Sequence, residues 1–313
     1  MNLWIDTDGG VDDALALACA YSTPGLTLAG ISTVFGNVAP LKAARNVALI
    51  QSFYPEPHVD IYAGADAPLE GDWHHARAVH GEDGLGGAVA ERIAGRYLPK
   101  PVGICPFKTA ERIASFARNS DGQGHLVCFG PVTNLARACA VDPGALQSLA
   151  SITLMGGAMS IPPPRRGGFE FNFGSDMEAI RAVLEAKLPL TILPLDVCRK
   201  VVLRKARLAR IARQCNTPLN HFMQRAHNHY MDAYKAREGI EGCYPHDALA
   251  LAALLKPEIF KRDTCRIRLD ESGEFSGLLK RDETGFVVHL VTDIDQRLAL
   301  NWIEVCLLMS PVE

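Results

Sequence analysis

No single charge dominates this chain. Its 313 residues carry 32 Lys and Arg against 35 Asp and Glu, a formal net charge of -3. A general nucleic-acid binder needs a basic excess to neutralise phosphates, and that excess is missing. Long apolar runs are missing too: 48% of the residues are hydrophobic, yet no run approaches the roughly 18 to 20 residues that span a bilayer. Neither nucleic acid nor a membrane is expected as a partner. High apolar content with little net charge also argues against a disordered chain. The opening stretch meets an acid at Asp6, with no basic segment and no long apolar one, so no secretory signal is expected. Nine cysteines are scattered with no C-x-x-C pair, which is neither a disulfide framework nor a zinc site. Reduced thiols in a cytoplasmic protein are the simplest reading. There is no internal repeat. His221, His227 and His229 lack the i,i+4 spacing of a helical metal pair, so they suggest no second metal.

What is present is an alternation of short apolar strands and helices. Strands are expected at 3–5, 26–35, 58–63, 125–129, 151–155 and 190–197, the last weakened by Pro194. Helices are expected at 12–21, 41–53, 108–118, 134–141 and 176–186. After Lys200 the pattern becomes helical, at 203–215, 219–237 and 247–255. Strands at 265–269 and 285–291 and a helix at 296–308 close the chain. The alternation predicts an α/β protein, one domain over 1–313, with a mostly parallel sheet between helices. Ligands bind beyond the carboxyl ends of strands in such sheets. The acids after Ile5 and the glycines after Phe129 and Met155 fall there. Residues 69–87 and 160–168 are the most loop-like, and long ordered loops are often functional.

Asp6, Asp8, Asp12 and Asp13 place four carboxylates within eight residues, Asp-Thr-Asp-Gly-Gly-Val-Asp-Asp. A solvated acidic turn is the plain reading. Converging carboxylates, however, stay ionised together only beside a cation, and oxygen-only ligands suit Ca²⁺ or Mg²⁺ better than zinc. Gly9 and Gly10 would let the backbone turn sharply enough for acids on both sides to face one ion. Haloacid-dehalogenase-type phosphatases open in a similar way, with Mg²⁺ and the first Asp as nucleophile. The second acid pair, Asp12-Asp13, points elsewhere.

From end to end the sequence resembles the nucleoside hydrolase (inosine-uridine preferring) family. The blocks follow the family's order. They are the Asp6–Ala14 segment, Val34-Phe35-Gly36-Asn37, His80-Gly81-Glu82-Asp83-Gly84-Leu85-Gly86 and Gly130-Pro131-Val132-Thr133-Asn134-Leu135-Ala136, then Leu154-Met155-Gly156-Gly157, Glu170-Phe171-Asn172, Leu195-Asp196 and His246-Asp247. Each block is weak alone; the ordered set is specific.

The resemblance implies a Rossmann-like nucleoside hydrolase fold. It implies hydrolysis of the N-glycosidic bond of ribonucleosides in nucleoside salvage, through an oxocarbenium-like sugar. It implies Ca²⁺ held by Asp8, Asp13, Asp247 and the Phe129 backbone carbonyl, with Asp6 a close second acid. Asp12 would be the general base toward water. Glu170, Asn172 and Asp247 would bind the ribose, with Asn37 nearby and the Met155 backbone lining the sugar pocket. His246 would protonate the leaving base, since its ordinary pKa suits the task. His80 would lie beside the base. Tyr230 and Tyr234 share a helix face and would cover it, or else pack in the core. Family analogy implies a homodimer or homotetramer.

The sequence departs from the family at several points. Gly9 stands where the family usually has proline, so a more flexible turn is expected. No Asn precedes Glu170; instead residues 160–169 include Arg165 and Arg166, which could accept a charged 5′ group or simply be solvated. Cys198 and Arg199 replace a Thr-His pair. The pair His80 and His246 resembles the pyrimidine-tolerant branch, and Trp4, Trp73 and Trp302 do not obviously reach the base pocket. A Mg²⁺ phosphatase using Asp6 and a nucleoside-binding protein without turnover are the alternatives.

Overall fold

The computed structural model describes residues 1–55, 58–73, 75–89, 106–160, 169–270 and 275–311. Its strands are β1 (Asn2–Thr7), β2 (Thr27–Thr33), β3 (Ile61–Ala63), β4 (Gly124–Cys128), β5 (Ser151–Met155), β6 (Leu190–Leu193), β7 (Phe260–Leu269), β8 (Leu279–Arg281) and β9 (Phe286–Ile294). They form one sheet in the order β3-β2-β1-β4-β5-β6-β9-β7-β8. Every pairing from β3 across to β9 is parallel, and β7 runs antiparallel to both β9 and β8. The mostly parallel α/β sheet is thus as the alternation predicts.

Helices cover both faces. They are α1 (Val11–Tyr21), α2 (Pro40–Gln51), α3 (Arg77–His80), α4 (Pro106–Asn119), α5 (Thr133–Val141), α6 (Pro143–Gln147), α7 (Phe171–Gly174), α8 (Met177–Glu185), α9 (Leu195–Cys198), α10 (Lys205–Gln214), α11 (Pro218–Glu238), α12 (His246–Leu255) and α13 (Gln296–Leu308). Alternate side chains of β1 divide between the two cores. Leu3 and Ile5 pack with α1, α2 and α12, whereas Trp4 packs with α4 and α5. That division is the two-residue strand period with both faces buried. α1 and α12 are buried nearly all round and pack together, which their Ala- and Leu-rich sequences allow.

The order in which strands are added to the sheet switches sides at β1, which has β2 on one side and β4 on the other. Such a switch point opens a crevice beyond the strand ends. Register aligns Asp6 with Cys128 and Cys128 with Leu154. The next residues along, Thr7, Phe129 and Met155, therefore share one level at the crevice floor.

One expectation changes. The strand at 190–197 ends at Leu193, because Pro194 offers no N–H to the ladder and instead precedes α9. β8 and the short helices α3, α6 and α7 were not anticipated; none spans enough residues to show a period. Among the described residues no helix is long and apolar enough to cross a membrane.

Candidate active site

The turn from β1 into α1 is built around Asp13. Its carboxylate accepts the Gly10 N–H at 2.8 Å and the Asp8 N–H at 3.2 Å, and also the Thr7 hydroxyl. These bonds satisfy donors at the start of α1, where a negative charge also suits the helix dipole. Gly9 has φ +73, and a Cβ there would meet Ala43 Cα at 2.5 Å. Proline cannot adopt that φ, so this turn follows a path its own glycine requires. Asn46 secures it by donating to the Gly9 carbonyl at 2.9 Å. Gly10 is equally constrained: a Cβ there would meet Asn37 Nδ2 at 2.4 Å and His80 Nδ1 at 2.6 Å.

Asp8 is clamped by Asn37, whose backbone N–H and side-chain amide each donate to one oxygen at 2.8 Å. Asp247, at the start of α12, returns from the far end of the chain. One oxygen each from Asp12, Asp13 and Asp247 lie within 4.8 Å of one another, and all three residues are buried. Burial, then the Asp13 charge, pushes Asp12 up to about 8. Burial with the charges of Asp12, Asp13 and Asp8 raises Asp247 well above the usual carboxylate range. Asp8 is raised by burial and Asp13. Asp12 Oδ1 is buried with no hydrogen-bond partner. Mutually repelling, buried, oxygen-only donors fit a hard divalent cation, which would neutralise them.

Asp6 lies behind this cluster. Its Oδ1 accepts from Ser32 and, at 2.8 Å, from Asn134, while Oδ2 has no partner. Burial pushes it up to about 7. Asp6 does not line the cavity described next, which is unfavourable for the nucleophile of a phosphatase.

A cavity of about 280 Å³ opens over the acids. At one end stand the tyrosines and histidines. Val11 N–H donates to His80 Nδ1 at 3.1 Å, and the His80 ring lies 4.8 Å from that of Tyr230. Tyr230 meets Tyr234 edge-on at 5.0 Å, and the Tyr234 hydroxyl bonds His246 Nε2 at 2.9 Å. Burial lowers His80 to about 4, and lowers His246 to about 3, helped by the charges of His80 and Arg199. Both rings are therefore neutral near pH 7. His246 Nδ1 is buried without a partner.

At the other end, Glu170 caps α7. It accepts from Asn172 N–H at 3.1 Å, Phe173 N–H at 2.9 Å and Gly157 N–H at 2.7 Å. Burial still leaves it raised, against those bonds. The Asn172 amide donates to the Phe129 carbonyl at 2.6 Å and the Met155 carbonyl at 3.0 Å, tying β4 to β5.

Asp12, Asn37, His80, Phe129, Met155, Glu170, Asn172, Tyr230, Tyr234, His246 and Asp247 thus line one cavity. Asp8 and Asp13 adjoin it through Asn37. Asn37 spends its amide on these acids, and the tight acid trio contains Asp12 where the sequence expectation has Asp8. None of the three tryptophans lines the cavity; Trp73 donates to the Gly36 carbonyl at 2.9 Å. Arg165 and Arg166 lie outside the described residues. Sequence reasoning missed Thr7, Ser32 and Asn134 as supports, although Thr7 sits inside the acidic motif. It also missed Arg199, Arg237, Glu238 and Tyr244 at the cavity rim.

Residues 3–300 match the family model described as inosine-uridine preferring nucleoside hydrolase. The chain belongs to this family. A nucleoside hydrolase is accordingly an N-ribohydrolase, and its relatives carry matching names. The pyrimidine-specific ribonucleoside hydrolase RihA of Klebsiella pneumoniae is 32% identical over 276 residues, 88% of this chain and 86% of that protein. Uridine nucleosidase 1 of Arabidopsis thaliana is 29% identical, over 87% of this chain and 79% of its own. The fold of this nucleoside hydrolase is shared by the purine-preferring ribonucleoside hydrolase from Gardnerella vaginalis, with a TM-score of 0.86, 24% identity and 98% coverage of both chains.

Proposed function

We propose that this nucleoside hydrolase cleaves the ribose–base bond of pyrimidine ribonucleosides and depends on Ca²⁺. The buried trio Asp12, Asp13 and Asp247 carries the reading. Asp8, Asp13, Asp247 and the Phe129 carbonyl would hold the ion. When bound, Ca²⁺ would keep these acids ionised and bind sugar hydroxyls. Asp12, whose Oδ1 has no partner, takes a proton from the attacking water. Beside the bound cation Asp12 would be ionised and so able to act as a base near neutral pH. Glu170 and Asn172 orient the ribose from the level of β4 and β5. With Tyr234 as the donor to His246 Nε2, the remaining ring proton sits on Nδ1, the unpartnered atom, from which it can hydrogen-bond the departing base. His80, Tyr230 and Tyr234 wall the base and exclude water.

The similarity to a pyrimidine-specific relative supports the base preference. One sheet running through the chain supports a single domain over 1–313. Free thiols at every described cysteine support a cytoplasmic setting. A homodimer or homotetramer remains our expectation by family analogy. The test is free-base release from a panel of nucleosides, in Ca²⁺ and in chelator. Release that survives complete chelation refutes the calcium dependence, and tight nucleoside binding with no release makes the protein a binder.

A further inference from the structure

Two guanidinium groups at the base end have no part in the roles above. Arg199 follows α9 and Arg237 lies in the last turn of α11; both line the cavity with Tyr230, Tyr234, Tyr244 and His246. Arg199 stands where the family resemblance leads one to expect the second residue of a Thr-His pair. It is held on two sides. Its Cζ lies 5.5 Å from the Tyr244 ring centroid, and its Nη2 pairs with Glu238. Tyr244 meets Tyr234 edge-on at 5.2 Å and His246 at 5.7 Å. A guanidinium fixed by a ring face and a carboxylate is pre-organised. Arg237 is exposed and has no ion pair among the described residues.

Glu238 already accepts from Arg199 and, at 3.3 Å, from the Tyr244 hydroxyl. The base end therefore offers donors and a surplus of positive charge. Arg199 is near enough to His246, and Arg237 to His80, for each charge to be felt at the ring. Both guanidinium groups line the cavity that holds the tyrosines and histidines proposed to wall the base.

We propose that Arg199 and Arg237 form a cationic leaving-group subsite that favours bases departing as anions stabilised on their carbonyl oxygens. The proposal rests on the ribonucleoside reading of this cavity and names which bases it serves. Water forms the new bond to the sugar's anomeric carbon and passes a proton to Asp12. The electron pair of the broken C–N bond goes to the base and spreads onto its carbonyl oxygens, beside the guanidinium groups. After release the base anion takes a proton from solvent and Asp12 returns one. Uracil-type bases gain most, because a carbonyl adjoins the nitrogen that leaves and another continues the delocalisation. Amino-substituted bases gain less.

The test compares kcat and KM for uridine, 5-fluorouridine and cytidine in the wild type, Arg199→Met, Arg199→Lys and Arg237→Met, with melting temperatures for each. The wild type is expected to prefer uridine to cytidine. Each Met variant should lower kcat for uridine roughly tenfold to hundredfold, the range of a charge-assisted contact. The loss should be several-fold smaller for 5-fluorouridine, whose anion needs less help, and Lys should restore part of it. Equal losses for uridine and 5-fluorouridine, a change in KM alone, or no loss would overturn the subsite. Arg237→Met keeps the test valid if Arg199 variants unfold, since Arg237 is exposed. Base release by the wild type with a flat response to leaving-group acidity sinks this proposal alone; no base release from any nucleoside sinks the hydrolase reading as well.

Discussion

Asp12 and its neighbours differ in how their oxygens are occupied. Asp8 and Asp13 accept several N–H donors, whereas Asp12 keeps one oxygen without a partner. On the proposed reading that oxygen would accept the proton of the attacking water. Asp12→Asn should cut kcat about 10²- to 10⁴-fold, the usual size of a general-base loss. It should leave the metal-free melting temperature equal or higher, because a buried carboxyl that ionises more readily in the unfolded chain is gone; base release and a thermal melt check both. Tyr234→Phe removes the bond to His246 Nε2, and a loss of roughly tenfold in kcat is expected from one hydrogen bond. The acids were legible in the sequence because they fall in one short turn. Tyr230 and Tyr234 were legible through their i,i+4 spacing. Ser32 and Asn134 beneath Asp6 were not, since they lie 26 and 128 residues away and only the sheet brings them together.

Short elements carry much of the site, and they are what periodicity misses. α7 has four residues, and its cap Glu170 satisfies three backbone donors. Glu170→Ala should cost about 1 to 2 kcal/mol of stability, as lost caps do, and raise KM; chemical denaturation and kinetics measure the two effects. The turn at Gly9 makes a sharper demand. Gly9→Pro would restore the residue usual in the family, yet φ +73 forbids it here. Destabilisation by about 1 to 3 kcal/mol is expected, and a melt showing stabilisation would mean the turn takes another path. The end of β6 at Leu193 was foreshadowed by Pro194. The rim cluster of Arg199, Glu238 and Tyr244 was not, because α9, α11 and the segment before α12 meet only after folding.

Across the whole molecule, the buried titratable groups set opposing pH dependences. Asp6 at about 7 and Asp12 at about 8 hold protons in the fold that the unfolded chain has already lost. The metal-free protein therefore loses stability as pH rises from about 4 to 8. His80 and His227, near 4, and His246, near 3, act in the other direction, costing stability as pH falls below 6.5. Of these groups, the acids are the ones that titrate between 6.5 and 8. In chelator the melting temperature should fall across that window, and added Ca²⁺ should abolish the fall; a flat or rising profile in chelator would contradict the carboxylate strain. The sheet and its helices were legible from the β-α alternation, because parallel strands must be joined by crossovers. The pairing of Asp247 with the acids of the first turn was not readable from local pattern at all. That pairing has a consequence for biosynthesis. A nascent chain emerges with Asp8, Asp12 and Asp13 first and Asp247 more than 200 residues later. The ion site is then incomplete through most of translation. On the proposed reading, strong cation capture would be a property of the finished polypeptide, and a prematurely terminated one would lack it.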